Sequence, residues 1–216
     1  MASLGAVRFP NAILAIGAWG ALDPGDQLVI GSGAVLGRDV DWRVVRWWDP
    51  SVTPIEADAG EVRTRVFGLA LSLSAPAPLG LEAALALGDR VAVVEAAIGM
   101  LGAGGGLTPE GDDRLLGACA AFRHVTASLG RPEGSEMLDR LADEILDIAS
   151  RRTTLLSVTL LRHALAGEVP DPVADLMASM TGCGDVSAAV ERCLSIGDSS
   201  GRALAHGVLC GARAGY

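Results

Sequence analysis

The pattern of apolar and polar positions divides the chain near residue 75. Before that point, short β-branched and aromatic stretches alternate with turn residues, which is typical of strands. On this basis strands are predicted within residues 27–36, 43–50 and 61–67. Several short strands at this spacing predict a β-rich N-terminal domain over residues 1–75, with a barrel-like or sandwich-like form.

The predicted joint is the segment 74–80, which reads Ser-Ala-Pro-Ala-Pro-Leu-Gly. After it the chain becomes rich in alanine and leucine, and the apolar period becomes helical. Residues 79–216 are therefore predicted to form a helical domain. Its predicted helices cover residues 80–87, 89–101, 109–129, 134–150, 153–166, 171–180, 185–195 and 199–213. The predicted fold class is α+β, a β-rich part followed by an all-helical part.

Composition narrows the classes of partner. The chain has 216 residues, of which 50% are hydrophobic, enough for a sizeable core. No apolar run reaches the roughly 18 residues of a membrane span, and the first residues lack the pattern of a secretory signal. A cytoplasmic location is therefore expected. The net charge of −9 disfavours nucleic acid and anionic membranes as partners, but a local group of arginines still allows a small anionic substrate.

The basic residues exclude several chemistries. The sequence contains no lysine, so all 17 positive side chains are arginines. A lysine Schiff base, a pyridoxal attachment and a Walker-type phosphate loop are excluded. The four cysteines lack CxxC spacing and are predicted to be small packing residues, and the three histidines are scattered singly. The residues therefore identify no clear nucleophile or general base.

The most informative segment is 102–113, which reads Gly-Ala-Gly-Gly-Gly-Leu-Thr-Pro-Glu-Gly-Asp-Asp. Thr108 followed by Pro109 predicts a helix start with a hydroxyl N-cap, and acidic residues are favourable in a first turn. Capping does not explain the preceding glycines, or Gly111 in the first turn, where glycine costs about 1 kcal/mol relative to alanine. A close approach to the backbone does explain them. The predicted substrate- or anion-binding glycines are Gly104, Gly105, Gly106 and Gly111.

Two arrangements suit this segment. In one, Mg²⁺ lies between Asp112 or Asp113 and an anion, since magnesium prefers oxygen ligands. In the other, the aspartates accept hydrogen bonds from an amide or carbamoyl –NH₂, and backbone amides at the helix start hold the acid group. The residues do not choose between them, and no other cofactor is indicated. Thr108, Asp112 and Asp113 are the predicted catalytic residues.

Two further helix starts carry similar chemistry. Residues 150–154 read Ser-Arg-Arg-Thr-Thr, and arginine pairs with carboxylate or phosphate through two parallel hydrogen bonds. Residues 197–201 read Gly-Asp-Ser-Ser-Gly. Ordinary capping explains each of them alone, whereas three such starts in one helical domain favour convergence on a ligand. The additional anion-binding candidates are Arg151, Arg152, Thr153, Thr154, Ser199, Ser200 and Gly201.

Residues 104–113, together with 152–161 and 197–201, resemble motifs of the AllH-like family, which is associated with a subunit of bacterial oxamate carbamoyltransferase. The resemblance covers most of residues 90–216; one departure is Glu110, where the family commonly has serine. It implies a carbamoyltransferase subunit in purine- or allantoin-derived nitrogen metabolism. Oxamate and carbamoyl phosphate would be its ligands, and other enzyme subunits its partners.

Two functions follow from these observations. The first is an enzyme subunit that transfers or cleaves a carbamoyl group. The amides of 104–106 and Thr108 would contact an oxyanion, and Arg151 and Arg152 would hold phosphate or carboxylate. The second is a non-catalytic partner that binds a small carboxylate or amide and completes another subunit's active site. The density of polar loops favours the first function, and the lack of a clear nucleophile favours the second.

Overall fold

Helices make up most of the structure, a computed structural model that describes residues 2–3, 8, 15–16, 23, 25–45, 47–74 and 80–216. The described strands are β1 (Ala2–Ser3), β2 (Ala15–Ile16), β3 (Val29–Gly31), β4 (Ala34–Leu36) and β5 (Asp41–Arg43). The described helices are α1 (Ala59–Ser72), α2 (Gly80–Leu87), α3 (Arg90–Met100), α4 (Glu110–Ser128), α5 (Glu133–Arg152), α6 (Leu155–Leu165), α7 (Asp171–Met180), α8 (Val186–Leu194) and α9 (Ser200–Gly215).

The strands form two small sheets. β1 and β2 pair in parallel, and β3, β4 and β5 form an antiparallel sheet in that order. Residues 27–36, predicted as strand, contain a hairpin, because Ser32 and Gly33 have φ values of 49° and 72° and turn the chain between β3 and β4. Positive φ at both central residues is the requirement of a tight type I′ hairpin.

The predicted barrel or sandwich is not supported, since the described residues show only these short strands. The strand predicted over 43–50 is wrong in its described part, because β5 ends at Arg43 and residues 44–45 and 47–50 are not in a strand. Two of the apolar side chains there lie largely in solvent. Val45 is 98% exposed and Trp47 is 79% exposed.

The strand predicted over 61–67 is also wrong, because these residues lie in α1. The side chain of Asp58 caps the helix by accepting from the amides of Gly60 and Glu61, each at 2.9 Å. Val62 and Val66 are four positions apart, a spacing compatible with both a strand and a helix. Leu69 extends the buried face with helical spacing, and all three side chains are fully buried.

The eight helices predicted after the joint are confirmed, with ends within two residues of the predicted ones. Their apolar periodicity and stop glycines are local signals that the structure preserves. Residues 75–79 of the joint lie outside the described residues, and the division into two domains stays a prediction. The α1 side chains pack in the same apolar cluster as α7, α8 and α9.

Helices α4 and α9 form the centre of the core. One apolar cluster lies on the side of α1, α7 and α8, and a second lies on the side of α2, α3 and α5. Both clusters include residues of α4, α6 and α9. Since α4 is buried on almost every face, its first turn is held firmly relative to the neighbouring helices.

Glycines allow α4 and α9 to touch backbone to backbone. A Cβ at Gly117 would lie 2.4 Å from the carbonyl oxygen of Leu204. At Gly207 it would lie 2.2 Å from the carbonyl oxygen of Arg114, and at Gly211 2.1 Å from that of Ala118. No real Cβ fits at these distances. We call Gly117, Gly207 and Gly211 the glycine seam.

The seam also shows that α4 and α9 run in the same direction. Gly207 packs at Arg114, and Gly211 packs four residues later at Ala118. Helix α6 runs the same way, since Thr154 at its start contacts Leu107 and Gly167 beyond its end faces Arg123. The first turns of α4, α6 and α9 therefore lie at the same end of the core.

Candidate functional site

Side-chain contacts join the starts of α4, α6 and α9. The hydroxyls of Thr108 and Ser200 lie 3.0 Å apart, and the Thr154 hydroxyl donates to the Leu107 carbonyl at 2.7 Å. We call residues 102–113, 153–155 and 199–201 the helix junction. Each helix N-terminus carries the equivalent of about half a positive charge, and the first turn of α4 places the carboxyl groups of Glu110, Asp112 and Asp113 at these ends.

Residues 102–107 form an exposed glycine loop between α3 and α4. Gly102, Gly104 and Gly106 have φ values of 77°, 114° and 88°, which favour glycine. A Cβ at Gly102 would also lie 2.3 Å from the carbonyl oxygen of Arg152, so the loop packs directly on the end of α5. Nothing lies within 4 Å of a Cβ built at Gly105 or Gly106. This part of the loop is open to a ligand.

Gly111 has a structural explanation. A Cβ there would lie 2.0 Å from the carbonyl oxygen of Met100, the last residue of α3. The backbone does approach Gly111 closely, as its position in the first turn predicts, but the approaching atom belongs to the chain itself. The Gly111 amide also donates to the Ala103 carbonyl at 2.8 Å, which closes the loop onto α4.

Thr108 does not cap α4 as predicted. The helix begins at Glu110, Pro109 occupies the N-cap position instead of the first helical one, and no side chain caps the helix. The Thr108 hydroxyl instead contacts Ser200 at the start of α9. Thr108 therefore links two helix starts and lies beside Asp113.

Asp112 is fully engaged by the protein. Its carboxylate is 3% exposed; Oδ1 accepts from the Gly102 amide at 2.8 Å, and Oδ2 accepts from the Thr153 hydroxyl. These bonds fix the glycine loop and the α5–α6 connection to the first turn of α4. Asp112 therefore holds these segments together, and its catalytic role stays a prediction.

Asp113 is buried, but only part of its hydrogen-bonding capacity is used. It is 4% exposed, and its Oδ2 atom has no hydrogen-bond partner among the described residues. Burial raises the pKa of Asp113 to about 6, while hydrogen bonding by Ser200 and Thr108 lowers it and the charges of Asp112 and Glu110 raise it. A carboxyl with a pKa near neutrality and one free oxygen is able to accept or donate a proton at physiological pH.

The segment 151–154 divides between two places. Arg151 and Arg152 lie in the last turn of α5, not at a helix start, while Thr154 caps α6 by accepting from the Ser157 amide at 3.1 Å. Both threonines, Thr153 and Thr154, reach the helix junction. The guanidinium groups of Arg151 and Arg152 have partners outside the junction.

Arg151 forms an ion pair on the surface of α5, and Arg152 forms a hydrogen bond between α5 and α3. Arg151 pairs with Asp147 one turn earlier, where both side chains are more than half exposed. Arg152 donates to the Ile98 carbonyl of α3 at 3.2 Å. An exposed pair within one helix contributes little stability, so Arg151 remains available to exchange Asp147 for another anion.

The three predicted residues at the start of α9 have three environments. Ser199 is exposed and makes no capping bond. Ser200 contacts Thr108 within the junction. Gly201 is required by packing, because a Cβ there would lie 2.2 Å from the carbonyl oxygen of Cys193.

Two residues of the site were not found from the sequence. Gly102 supplies the amide that holds Asp112. Arg114 carries the guanidinium next in sequence to the aspartates; its Nε is buried without a partner among the described residues, and its Nη2 lies 3.8 Å from Glu110. The spacing of Glu110 and Arg114, four residues within a helix, is the signal that would have indicated this pair.

The donor set at the junction fits a hydrogen-bonded ligand better than a metal ion. In the part of the chain that the structure describes, no three His, Cys, Asp or Glu side chains come together as metal ligands. Both oxygens of Asp112 already accept hydrogen bonds, so Mg²⁺ would have to displace Gly102 or Thr153. Mg²⁺ binding by Asp112 and Asp113 stays a prediction.

The cysteines offer no activated nucleophile at the junction. Burial raises the pKa of Cys119, Cys193 and Cys210 to about 12, which keeps these thiols protonated. All four cysteines are free, and Cys183 is exposed. The prediction of buried packing thiols is confirmed for three of them and wrong for Cys183.

A surface cleft of about 420 Å³ lies near the opposite ends of α4 and α9. Its lining includes Phe122 and Thr126 of α4, Met137 of α5 and Gly215 of α9. It contains none of the predicted site residues.

One comparison with known proteins found a family match. No curated protein and no solved structure matches the chain significantly. No helix in the described ranges is both long and apolar enough to span a membrane. The family model described as oxamate carbamoyltransferase subunit AllH matches residues 100–212, which contain the whole helix junction. The match spans just over half of the chain, and the protein belongs to the AllH family of oxamate carbamoyltransferase subunits.

Proposed function

We propose that this chain is a subunit of a cytoplasmic carbamoyltransferase that acts on oxamate and carbamoyl phosphate, in the breakdown of purine- or allantoin-derived nitrogen. One observation carries the proposal: the N-termini of α4, α6 and α9 meet around the first turn of α4, inside the region that matches the family, and the buried Asp113 there has one oxygen without a partner among the described residues. Such a junction suits a small molecule that joins an anionic group to an amide.

The transfer consists of one bond exchange. The amide nitrogen of oxamate bonds to the carbamoyl carbon, the bond from that carbon to the phosphate oxygen breaks, and the proton lost from nitrogen leaves on the phosphate. Catalysis requires the two substrates to be aligned and the developing charge on the carbamoyl oxygen and phosphate to be stabilised.

We infer that residues of the junction, with the two arginines at the end of α5, meet these needs. The open amides around Gly105 and Gly106, with the Thr108 hydroxyl, would contact an oxyanion. Arg151 would hold phosphate after leaving its exposed pair with Asp147. Arg152 would contribute less to phosphate binding, because its guanidinium already donates to the Ile98 carbonyl.

A second function has its own support. The junction contains no thiol or imidazole poised as a nucleophile among the described residues, and two exposed leucines flank it: Leu107 is 75% exposed and Leu155 is 82% exposed. An apolar rim beside a polar site suits contact with another protein. In this alternative the chain binds a small carboxylate or amide and completes the active site of a different subunit.

The test is an activity assay with and without the proteins encoded by neighbouring genes. Carbamoyl phosphate and oxamate are supplied, and both inorganic phosphate and the carbamoylated oxamate are measured, with Mg²⁺ and with a chelator. We expect turnover in the reconstituted complex that is lost when this chain is omitted. Full turnover by the isolated chain would eliminate the partner-only alternative. A complete complex without turnover would overturn the carbamoyltransferase proposal.

A further inference from the structure

The two adjacent aspartates of the junction are not equivalent. Both are buried, but both oxygens of Asp112 accept hydrogen bonds from the protein. Asp113 keeps Oδ2 free of any partner in the described structure. A buried acceptor without a partner is costly, so its retention at the helix junction requires an explanation.

The groups around Asp113 restrict which chemical group can hydrogen-bond to Oδ2. The hydroxyls of Thr108 and Ser200 bond each other at 3.0 Å and lie beside the carboxyl. The charged groups nearby on α4 are Glu110 and Asp112, both acidic, and Arg114 lies toward Glu110 at 3.8 Å. A second carboxylate or a bare phosphate placed against Oδ2 would meet repulsion, whereas a neutral N–H donor would not.

A metal ion suits this position less well. A magnesium ion prefers nearly octahedral oxygen coordination, and Asp113 offers it a single free oxygen at this position. Recruiting Asp112 would break its bonds to Gly102 and Thr153, which hold the glycine loop and the α5–α6 connection in place.

We propose that Asp113 is the residue of this pair that contacts the ligand, and that its free Oδ2 accepts a hydrogen bond from a primary amide or carbamoyl –NH₂. The anionic group attached to that amide lies toward the helix N-termini and the open loop at Gly105 and Gly106. Asp112 is a positioning residue. This assignment rests on the proposed function and adds to it the chemical group that the site selects.

Two probes of the same size and charge isolate the –NH₂ group. Oxamate carries –NH₂ where pyruvate carries –CH₃, and both present the same carbonyl and carboxylate. Binding of each is measured by calorimetry at pH 7.5, with the purified chain and with the chain assembled with its partner subunits. We expect oxamate to bind about 10- to 100-fold more tightly than pyruvate, the value of one hydrogen bond to a charged group.

Variants then assign the preference to one carboxylate. Asp113→Leu is expected to lower oxamate affinity to that of pyruvate and to leave pyruvate affinity within about threefold. Asp113→Asn keeps a neutral acceptor and is expected to retain part of the preference. Asp112→Asn, the matched control, is expected to lower the melting temperature and to weaken both probes alike, because it loosens the loop without removing the acceptor.

The outcomes separate this inference from the proposed function. If the wild-type chain binds neither probe, alone or assembled, the proposed function fails. If it binds both equally, or if a folded Asp113→Leu variant keeps the full preference, the function stands and the role of Asp113 is overturned. If Asp113→Leu does not fold, Asp113→Asn decides: a preference equal to that of the wild type overturns the assignment.

Discussion

The glycine seam and the glycine loop use the same residue for opposite purposes. In the seam, backbone atoms of the facing helix lie within 2.4 Å of the position that a Cβ would occupy. In the loop, Gly105 and Gly106 have nothing within 4 Å of that position. The seam glycines therefore hold α4 and α9 together, while these loop glycines leave room for a ligand. We expect a mutation in the seam to act on stability and one at Gly105 or Gly106 to act on ligand binding.

The largest expected effect tests the seam directly. Gly207→Ala places a methyl group 2.2 Å from the Arg114 carbonyl oxygen and forces the two helices apart. We expect it to lower the free energy of unfolding by about 3 kcal/mol, measured by urea denaturation. The matched control, Gly105→Ala in the loop, is expected to change it by less than about 0.5 kcal/mol. Equal losses in the two variants would contradict the comparison.

The next effect concerns the pH dependence of stability. The pKa of Asp113 is raised from 3.8 to about 6 in the folded chain, so the folded state holds a proton that the unfolded state releases. The stability that Asp113 contributes is present below about pH 4 and is lost as the pH rises through 6. The shift in pKa corresponds to a total change of about 3 kcal/mol in the free energy of unfolding.

Asp113→Asn removes this titration. We expect the variant to gain about 2 kcal/mol of stability relative to the wild type between pH 4.5 and pH 7.5, because about 1 kcal/mol of the wild type's loss has already occurred at pH 4.5. Thermal or urea unfolding at both pH values measures the difference, and the other carboxyl groups cancel because they are common to both chains. Parallel pH profiles of the two chains would show that Asp113 titrates normally.

The smallest effect concerns the contact between the starts of α4 and α9. Ser200→Ala and Thr108→Val each remove one hydroxyl of a pair 3.0 Å apart. We expect each variant to lose about 1 kcal/mol of stability, and the double variant to lose less than the sum. Either change also raises the pKa of Asp113, since both hydroxyls lower it. Strictly additive losses would mean that the two hydroxyls do not interact.

The sequence predicted the helical part well because its signals are local. Apolar spacing and stop glycines placed eight helices correctly, and the motif at 104–113 located the junction. The wrong prediction of a strand over 61–67 also comes from a local signal. Val62 and Val66 suit a strand as well as a helix, and only the packing of Leu69 with the rest of the core decides between them. Thr108 was wrongly predicted as the N-cap of α4, because its actual hydrogen-bond partner, Ser200, lies 92 residues away.

The sequence by itself determined where the helices lie and which polar segments precede them, since helix periodicity and turn residues act over a few neighbouring positions. Only the tertiary structure decided that α4, α6 and α9 run in parallel with their starts together. It also decided which aspartate remains free. The partners that occupy Asp112 come from positions 10 and 41 residues away, and no local pattern distinguishes it from Asp113.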